Sequence, residues 1–241
     1  DELIVSYSDR LAEGYSSMSV PFDKLSSLGT VNGYHWANHH FVEGYRREDK
    51  AIAGFNTIVL DIDGTLPLKT AKELLKSYKA FFYTTKRHQD ADGLDRYRII
   101  MPTNFILELD GTEYKEFMNN VMESLPFTVD ESCNQRNKKW LTNNGEVHTI
   151  DGKLFDVLPF IPRTAKNEER ESKFKDQAEL DNLERWMLNN TGDGNRNKQL
   201  YNYAMVLVEA DLDFVEVGAK VRNLNAKLAD KLTDDELTNT I

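Results

Sequence analysis

Residues 56–75 read NTIVLDIDGTLPLKTAKELL, with Asp61 and Asp63 one residue apart at the end of an apolar run. On a strand, side chains at i and i+2 project to the same face, with α-carbons about 6.5–7 Å apart. Carboxylates placed in this way can converge on one or two hard divalent cations, which take oxygen ligands. Two such ions roughly 3.5–4 Å apart can activate an attacking hydroxyl and stabilise a leaving pyrophosphate. A third carboxylate is wanted to complete the cage. Asp130, at the end of its own apolar segment FTVD, is the best placed, and Asp95, just before RYRIIM, is the reserve.

Cationic and aromatic residues surround these acids in the sequence. Arg96 and Arg98 alternate along RYRIIM, and Arg136, Lys138 and Lys139 follow Asp130, so both groups can hold phosphates; surface ion pairs with Asp90, Asp92 or Glu131 are the alternative. Residues 33–50, GYHWANHHFVEGYRREDK, have a composition able to stack bases and touch phosphates through Arg46 and Arg47, although core aromatics with surface charges are the better reading. His35 and His39 have the i, i+4 spacing of paired metal ligands on a helix but lack a third partner nearby, which argues against a zinc site.

The elements that must position these groups follow from periodicity. Residues 56–63 alternate as a strand, with Asp61 and Asp63 on one face. Thr70-x-x-Glu73 has the form of a capping box and predicts a helix over about 70–79. AFFYTT is a second strand with His88 just past its end, and RYRIIM a third with Arg96, Arg98 and Ile100 on one face, closed by Pro102. Tyr114, Phe117, Val121 and Leu125 mark a helix of about three turns, and EVHTI and LFDVL read as hairpin strands around residues 151–153. Residues 166–177 are charged and read as a linker between a catalytic domain, 1–165, and a helical module, 178–241, or else as a solvated helix face within one domain. In that module Leu200, Ala204 and Leu207, then Val217, Val221 and Leu224, recur at helical spacing, with N-cap signals at Asp213/Glu216 and Thr233/Glu236, and predict a small all-α bundle.

Composition narrows the function classes. The chain has 241 residues, 40% of them hydrophobic, with no apolar stretch of membrane-spanning length and no signal-peptide pattern, which points to a cytosolic protein. Its start at Asp1 and its abrupt end suggest a portion of a longer protein. The single cysteine, Cys133, closes no intrachain disulfide and reads as a passive small residue. A formal net charge of −10 excludes strong non-specific attraction to nucleic acid, so a polynucleotide partner must meet a local basic patch.

Two families are similar in part. The Asp-x-Asp-Gly-Thr at 61–65 resembles the first motif of haloacid dehalogenase-like phosphatases, in which Asp61 would be the phosphoryl-accepting nucleophile and Asp63 a general acid. There FFYTT would stand as the threonine strand and TGDGNRN at 191–197 as the acidic loop, although helical period precedes that loop. IVLDIDG, YTTKRHQ, DRYRIIMPT and FTVDESCNQRNKKW, in that order across residues 40–165, resemble the motifs of the archaeo-eukaryotic primase superfamily, most closely the primase-polymerases of phages and plasmids. Residues 190–241 resemble the helical module that follows the catalytic domain in many of these primases. Lys86 stands where the family often has a serine, two residues before the histidine.

The primase resemblance implies an α+β catalytic domain with a mixed or antiparallel sheet. It implies primer synthesis on single-stranded DNA from nucleoside triphosphates, with two Mg²⁺ or Mn²⁺ ions on Asp61, Asp63 and Asp130. His88 would contact the incoming triphosphate, and Lys86, Arg96, Arg98, Arg136 and Lys139 would surround the nucleotide. Arg46, Arg47, Arg196 and Lys198 are candidate nucleic-acid contacts. The same resemblance implies a phage- or plasmid-encoded protein in a bacterial cytoplasm, working with a helicase domain or protein. A catalytically silent origin-binding or helicase-loading module is a further alternative.

Overall fold

A computed structural model describes residues 2–162, 182–192, 194–210 and 212–240; the charged stretch 166–177 lies outside them. Two compact units divide the chain: Asp1–Met122 with Thr128–Pro162, and Glu123–Phe127 with Arg163–Ile241.

The first unit is α+β, with two four-stranded antiparallel sheets. One has the order β2 (Ser16–Pro21), β1 (Glu2–Ser8), β3 (His35–Ala37), β7 (Trp140–Leu141). The other has the order β4 (Phe55–Asp63), β6 (Arg96–Leu107), β5 (Ala80–Thr84), β8 (Val147–Ile150). Alternation decides how they pack. Leu3 and Val5 of β1, Trp36 of β3 and Trp140 of β7 form one buried cluster with Val59, Ile100, Phe81 and Tyr83 of the second sheet. Burying each of these large apolar groups contributes about 1.5–3 kcal/mol. On the odd-numbered face of β4, therefore, Val59 belongs to the core between the sheets, and Asp61 and Asp63 continue that face to its open end.

The helix α1 (Leu68–Leu74) starts earlier and is shorter than the sequence pattern predicts. Thr70 is buried within it rather than at its N-cap; Pro67 is the N-cap, and the Leu68 N–H is satisfied by Asp95 Oδ2 at 2.7 Å. In α2 (Gly111–Ser124) Tyr114 and Phe117 lie against Phe55, with ring centroids 4.9 and 5.6 Å away. Its start is held by Asp110, whose Oδ1 accepts the N–H groups of Thr112 and Glu113.

Two expectations fail for tertiary reasons. Pro102 does not close β6, which runs on to Leu107. Beyond Met101 the β5 flank is replaced by Phe155, whose N–H donates to Pro102 O and whose carbonyl accepts from Asn104, so the missing proline N–H removes no ladder bond. By the same token LFDVL is not the second arm of a hairpin, because Phe155 is engaged by β6 while β8 pairs with β5.

In the second unit the described residues form helices Asn182–Asn190, Arg196–Glu209, Phe214–Lys227 and Asp234–Thr240. Trp186, Leu200, Tyr203, Val221 and Leu224 are buried. The Asp213–Glu216 capping box forms, and Thr233 and Glu236 exchange bonds in the same way. Among the described residues no helix is long and apolar enough to cross a membrane.

Candidate active site

Antiparallel register sets the site. Asp61 on β4 stands opposite Arg98 on β6, Asp63 opposite Arg96, and Arg98 opposite Tyr83 on β5. The apolar core between the sheets therefore ends in a polar layer. Arg98 Nε is 3.1 Å from Asp61 Oδ1, and its Nη1 donates to Tyr83 Oη at 3.1 Å and to the Leu141 carbonyl at 2.8 Å. Tyr83 Oη also accepts from Trp36 Nε1 at 2.9 Å and donates to the Leu141 carbonyl. This layer ties β3, β4, β5, β6 and β7 together directly beneath Asp61.

Asp130 arrives from a distant segment. Its backbone N–H donates to the Asp61 carbonyl at 3.0 Å, which brings the third carboxylate beside the pair. Its Oδ1 accepts from the Ser132 N–H and hydroxyl, and Lys138 Nζ is 3.0 Å from Oδ2. Asp61, Asp63 and Asp130 all line one cleft of about 1040 Å³, which Lys86, Arg87, Arg96, Arg98, Asn143 and Asn144 also line.

The three acids differ in setting. The Asp61 side chain is 20% exposed, Asp130 40% and Asp63 59%. Burial pushes the Asp61 carboxyl above its ordinary range despite the opposing pull of Arg98 and Lys138, and the charges of Asp130 and Asp63 add to the rise. Burial also pushes Asp130 upward, but hydrogen bonds from Ser132 and Lys138 outweigh it and hold that carboxyl below its ordinary value.

As a donor set, three carboxylates on one cleft suit a hard divalent cation. The side chains as they stand are ion pairs: Asp61 with Arg98, Asp63 with Arg96 and Arg87, Asp130 with Lys138. Consistent with this, among the described residues no three His, Cys, Asp or Glu side chains sit together as a ready cage. A cation entering the cleft would exchange with these guanidinium and ammonium groups, freeing them to meet an anionic substrate.

Other expected residues fall in different places. His88 is not among the cleft-lining residues; its Nδ1 accepts the Arg96 N–H at 3.1 Å, which leaves Nε2 as the protonated nitrogen of the neutral ring, 3.9 Å from Asp95. Asp95, the reserve acid, is not among the cleft-lining residues, and its carboxylate accepts from Leu68 N–H and Gln89 Nε2. Arg96 also pairs with Asp92, one of the alternatives the sequence leaves open. Arg136 pairs with Glu48, and Arg47 with Asp49. Arg46 donates to the carbonyls of Leu11 and Asn137, bridging loops of the fold. Burial lowers the pKa of Lys139, helped by the nearby charges of Arg46, Arg98 and Lys138. His35 lies on β3 and His39 just after it, not on a helix; His39 packs between Phe55 and Tyr114, so the two make no ligand pair. Cys133 is fully buried. In the second unit Arg196 pairs with Asp230 and Lys198 is exposed.

Sequence reasoning passed over Arg87, Asn143 and Asn144. Arg87 sits between Lys86 and His88 and was open to the same reading as its neighbours. The asparagines were not, because Asn143 is brought to the cleft by its bonds to Leu28 O and Thr84 O.

No family model and no curated protein matches this chain. Among solved structures a match is found to the AEP domain of the cyanophage S-2L primase-polymerase, 12% identical, covering 66% of this chain and 90% of that one, with a TM-score of 0.36. At that identity and score the likeness is too slight to carry an argument about this chain's activity.

Proposed function

We propose that this chain is the catalytic portion of a primase-polymerase, joining nucleotides on a single-stranded DNA template in phage or plasmid replication, alongside a helicase domain or protein. The observation that carries the reading is the meeting of Asp61, Asp63 and Asp130 on one cleft that also holds four cationic side chains. The ordered motif resemblance supports it independently of any structural likeness.

In this reading Asp61, Asp63 and Asp130 would hold Mg²⁺ or Mn²⁺, which when bound supplies charge to the attacking hydroxyl and the departing pyrophosphate. Lys86, Arg87 and Arg96 are within the cleft to receive the triphosphate, whose paired oxygens suit the planar guanidinium fork. Arg98, 13% exposed and tied to Tyr83 and Leu141, holds Asp61 in place. His88, bonded through Nδ1 to the start of β6 and with Nε2 turned toward Asp95, would act by positioning Arg96 rather than by touching the triphosphate. The helices beyond residue 182 correspond to a primase C-terminal module.

The phosphatase reading keeps Asp61-x-Asp63-Gly-Thr and the strand at Ala80–Thr84 but lacks the context of its acidic loop. The residues before TGDGNRN form the helix Asn182–Asn190 rather than the apolar strand that an acidic phosphatase loop needs.

The deciding experiment incubates the protein with single-stranded DNA, labelled nucleotides and Mg²⁺ or Mn²⁺, and sizes the products. Oligonucleotides that vanish with Asp63→Ala are expected. Template-independent release of phosphate from small esters in their place would overturn the reading. Asp61→Glu separates the two chemistries further, since it retains a metal ligand but misplaces a phosphoryl-accepting nucleophile.

A further inference from the structure

One wall of the cleft has a second, apolar side. Residues 28–34 and 141–145 are laced together: Asn143 N–H donates to Leu28 O at 3.1 Å, Gly145 N–H to Gly29 O at 3.0 Å, and Asn144 N–H to Asn32 Oδ1 at 2.9 Å. Tyr34 and Thr142 are bonded in both directions, Thr142 N–H to Tyr34 O at 2.9 Å and Tyr34 N–H to Thr142 Oγ1 at 3.2 Å. Asn32, Gly33, Asn143 and Asn144 face the cleft. Val31 and Tyr34 face a groove of about 370 Å³, bounded also by Tyr7, Met18, Val20 and Leu28, and Thr142 lines both cavities.

Within the groove Tyr7 and Tyr34 meet edge to face, with ring centroids 6.1 Å apart, and remain 39% and 42% exposed. Tyr34 is a rigid platform. Its backbone is bonded on both sides to Thr142, and Gly33 before it turns at φ +88°, a conformation that favours glycine. Among the described residues, Lys24 is the one charged residue lining the groove.

We propose that this groove is a nucleobase-stacking subsite that holds single-stranded DNA as it enters the cleft; the proposal rests on the nucleotidyl-transfer reading above. A template strand must run past the reacting nucleotide, and the groove adjoins the cleft at Thr142, which lines both. The chain's net charge of −10 gives little general attraction for a polyanion, so contacts to the bases would add to the grip that the cleft's cationic side chains supply. Exposed tyrosines serve that purpose without regard to sequence, because every base has a π-face.

The test is fluorescence anisotropy with a short labelled oligothymidylate, in the absence of nucleotides and divalent cations, beside an abasic oligomer of equal length. Tyr7→Ala and Tyr34→Ala should each weaken oligothymidylate binding about tenfold, Tyr34→Phe should retain it, and neither alanine variant should alter binding of the abasic oligomer. Should an alanine variant fail to fold, Val31→Glu at the groove's edge must weaken binding in its place. Unchanged affinity, an equal loss on the abasic oligomer, or a wild type that does not bind oligothymidylate overturns the subsite. A dimer in sedimentation that Tyr34→Ala dissolves would also overturn it, by giving the groove to a second copy. Tyrosine-dependent binding without any synthesis would refute the catalytic reading and keep the groove, whereas synthesis with tyrosine-independent binding would refute the groove alone.

Discussion

The Asp130 N–H donates to the Asp61 carbonyl at 3.0 Å, so two residues far apart in the chain are held by their backbones rather than by their carboxylates. Asp130→Asn leaves that bond untouched. It should keep the fold, with a melting temperature lowered only by the loss of the Lys138 pair, yet lower nucleotide incorporation by about a thousandfold, near 4 kcal/mol of transition-state stabilisation. Single-turnover incorporation beside a thermal melt checks both halves.

Asp61 and Asp63 should separate in stability while agreeing in activity. Asp63 is 59% exposed, and its bonds to Arg96 and Arg87 are surface ion pairs worth at most about 1 kcal/mol. Asp61 neutralises Arg98, whose side chain is 13% exposed, and removing one partner of a buried pair costs about 3–5 kcal/mol. Arg98 keeps its bonds to Tyr83 and Leu141, so the low end applies. Urea denaturation should show Asp61→Ala less stable than Asp63→Ala by about 2 kcal/mol or more, with synthesis lost in both. Equal midpoints would remove Arg98 as a support for Asp61.

His39 gives the fold an acid limb. Its ring is buried between Phe55 and Tyr114, with Nδ1 3.1 Å from Asn38 Oδ1 and Nε2 without a partner, and burial lowers its pKa to about 3, with Arg136 adding to the fall. Below the ordinary value of 6.5 the unfolded chain takes up a proton that the folded chain refuses, so stability falls as the pH drops from 6.5 towards 3. The loss from this group is about 2 kcal/mol by pH 5. Chemical denaturation at pH 7 and pH 5 should show it, and His39→Phe, which keeps the aromatic packing, should flatten the difference.

Tyr83 is a structural joint in the floor of the site. Its hydroxyl meets Trp36 Nε1, Arg98 Nη1 and the Leu141 carbonyl. Tyr83→Phe would leave the buried Trp36 N–H without an acceptor, at a cost of about 1–3 kcal/mol. The measured midpoint should fall accordingly, and activity should fall through misplacement of Arg98 rather than through weaker nucleotide affinity, so kcat should drop more than KM changes.

Much of the architecture is local and could be read without coordinates. The alternation of Ile58, Leu60 and Ile62 against Val59, Asp61 and Asp63 specifies a strand with both acids on one face, and it is one. The Tyr114, Phe117 and Val121 stripe and the Asp213–Glu216 box each depend on residues within a turn or two, and both are found where the pattern puts them. The Thr70–Glu73 pattern shows the limit of such reasoning: an equally good local signal is overridden because Asp95, from the start of another strand, reaches Leu68 N–H first.

What the residues determined by themselves is the chemistry available: a carboxylate pair on one strand face, a third acid at the end of an apolar segment, and basic side chains following each. What only the tertiary structure decided is who meets whom. Register sets Arg98 against Asp61 and Arg96 against Asp63, and a backbone bond sets Asp130 beside them. Pro102 sits inside a strand because its neighbour on that side is Phe155, and Arg46, basic and aromatic-flanked in the sequence, is spent on two loop carbonyls. Periodicity records which face a side chain takes, since that is a property of consecutive dihedral angles. The partner across that face comes from another part of the chain, and its choice is made by register and packing summed over the whole core.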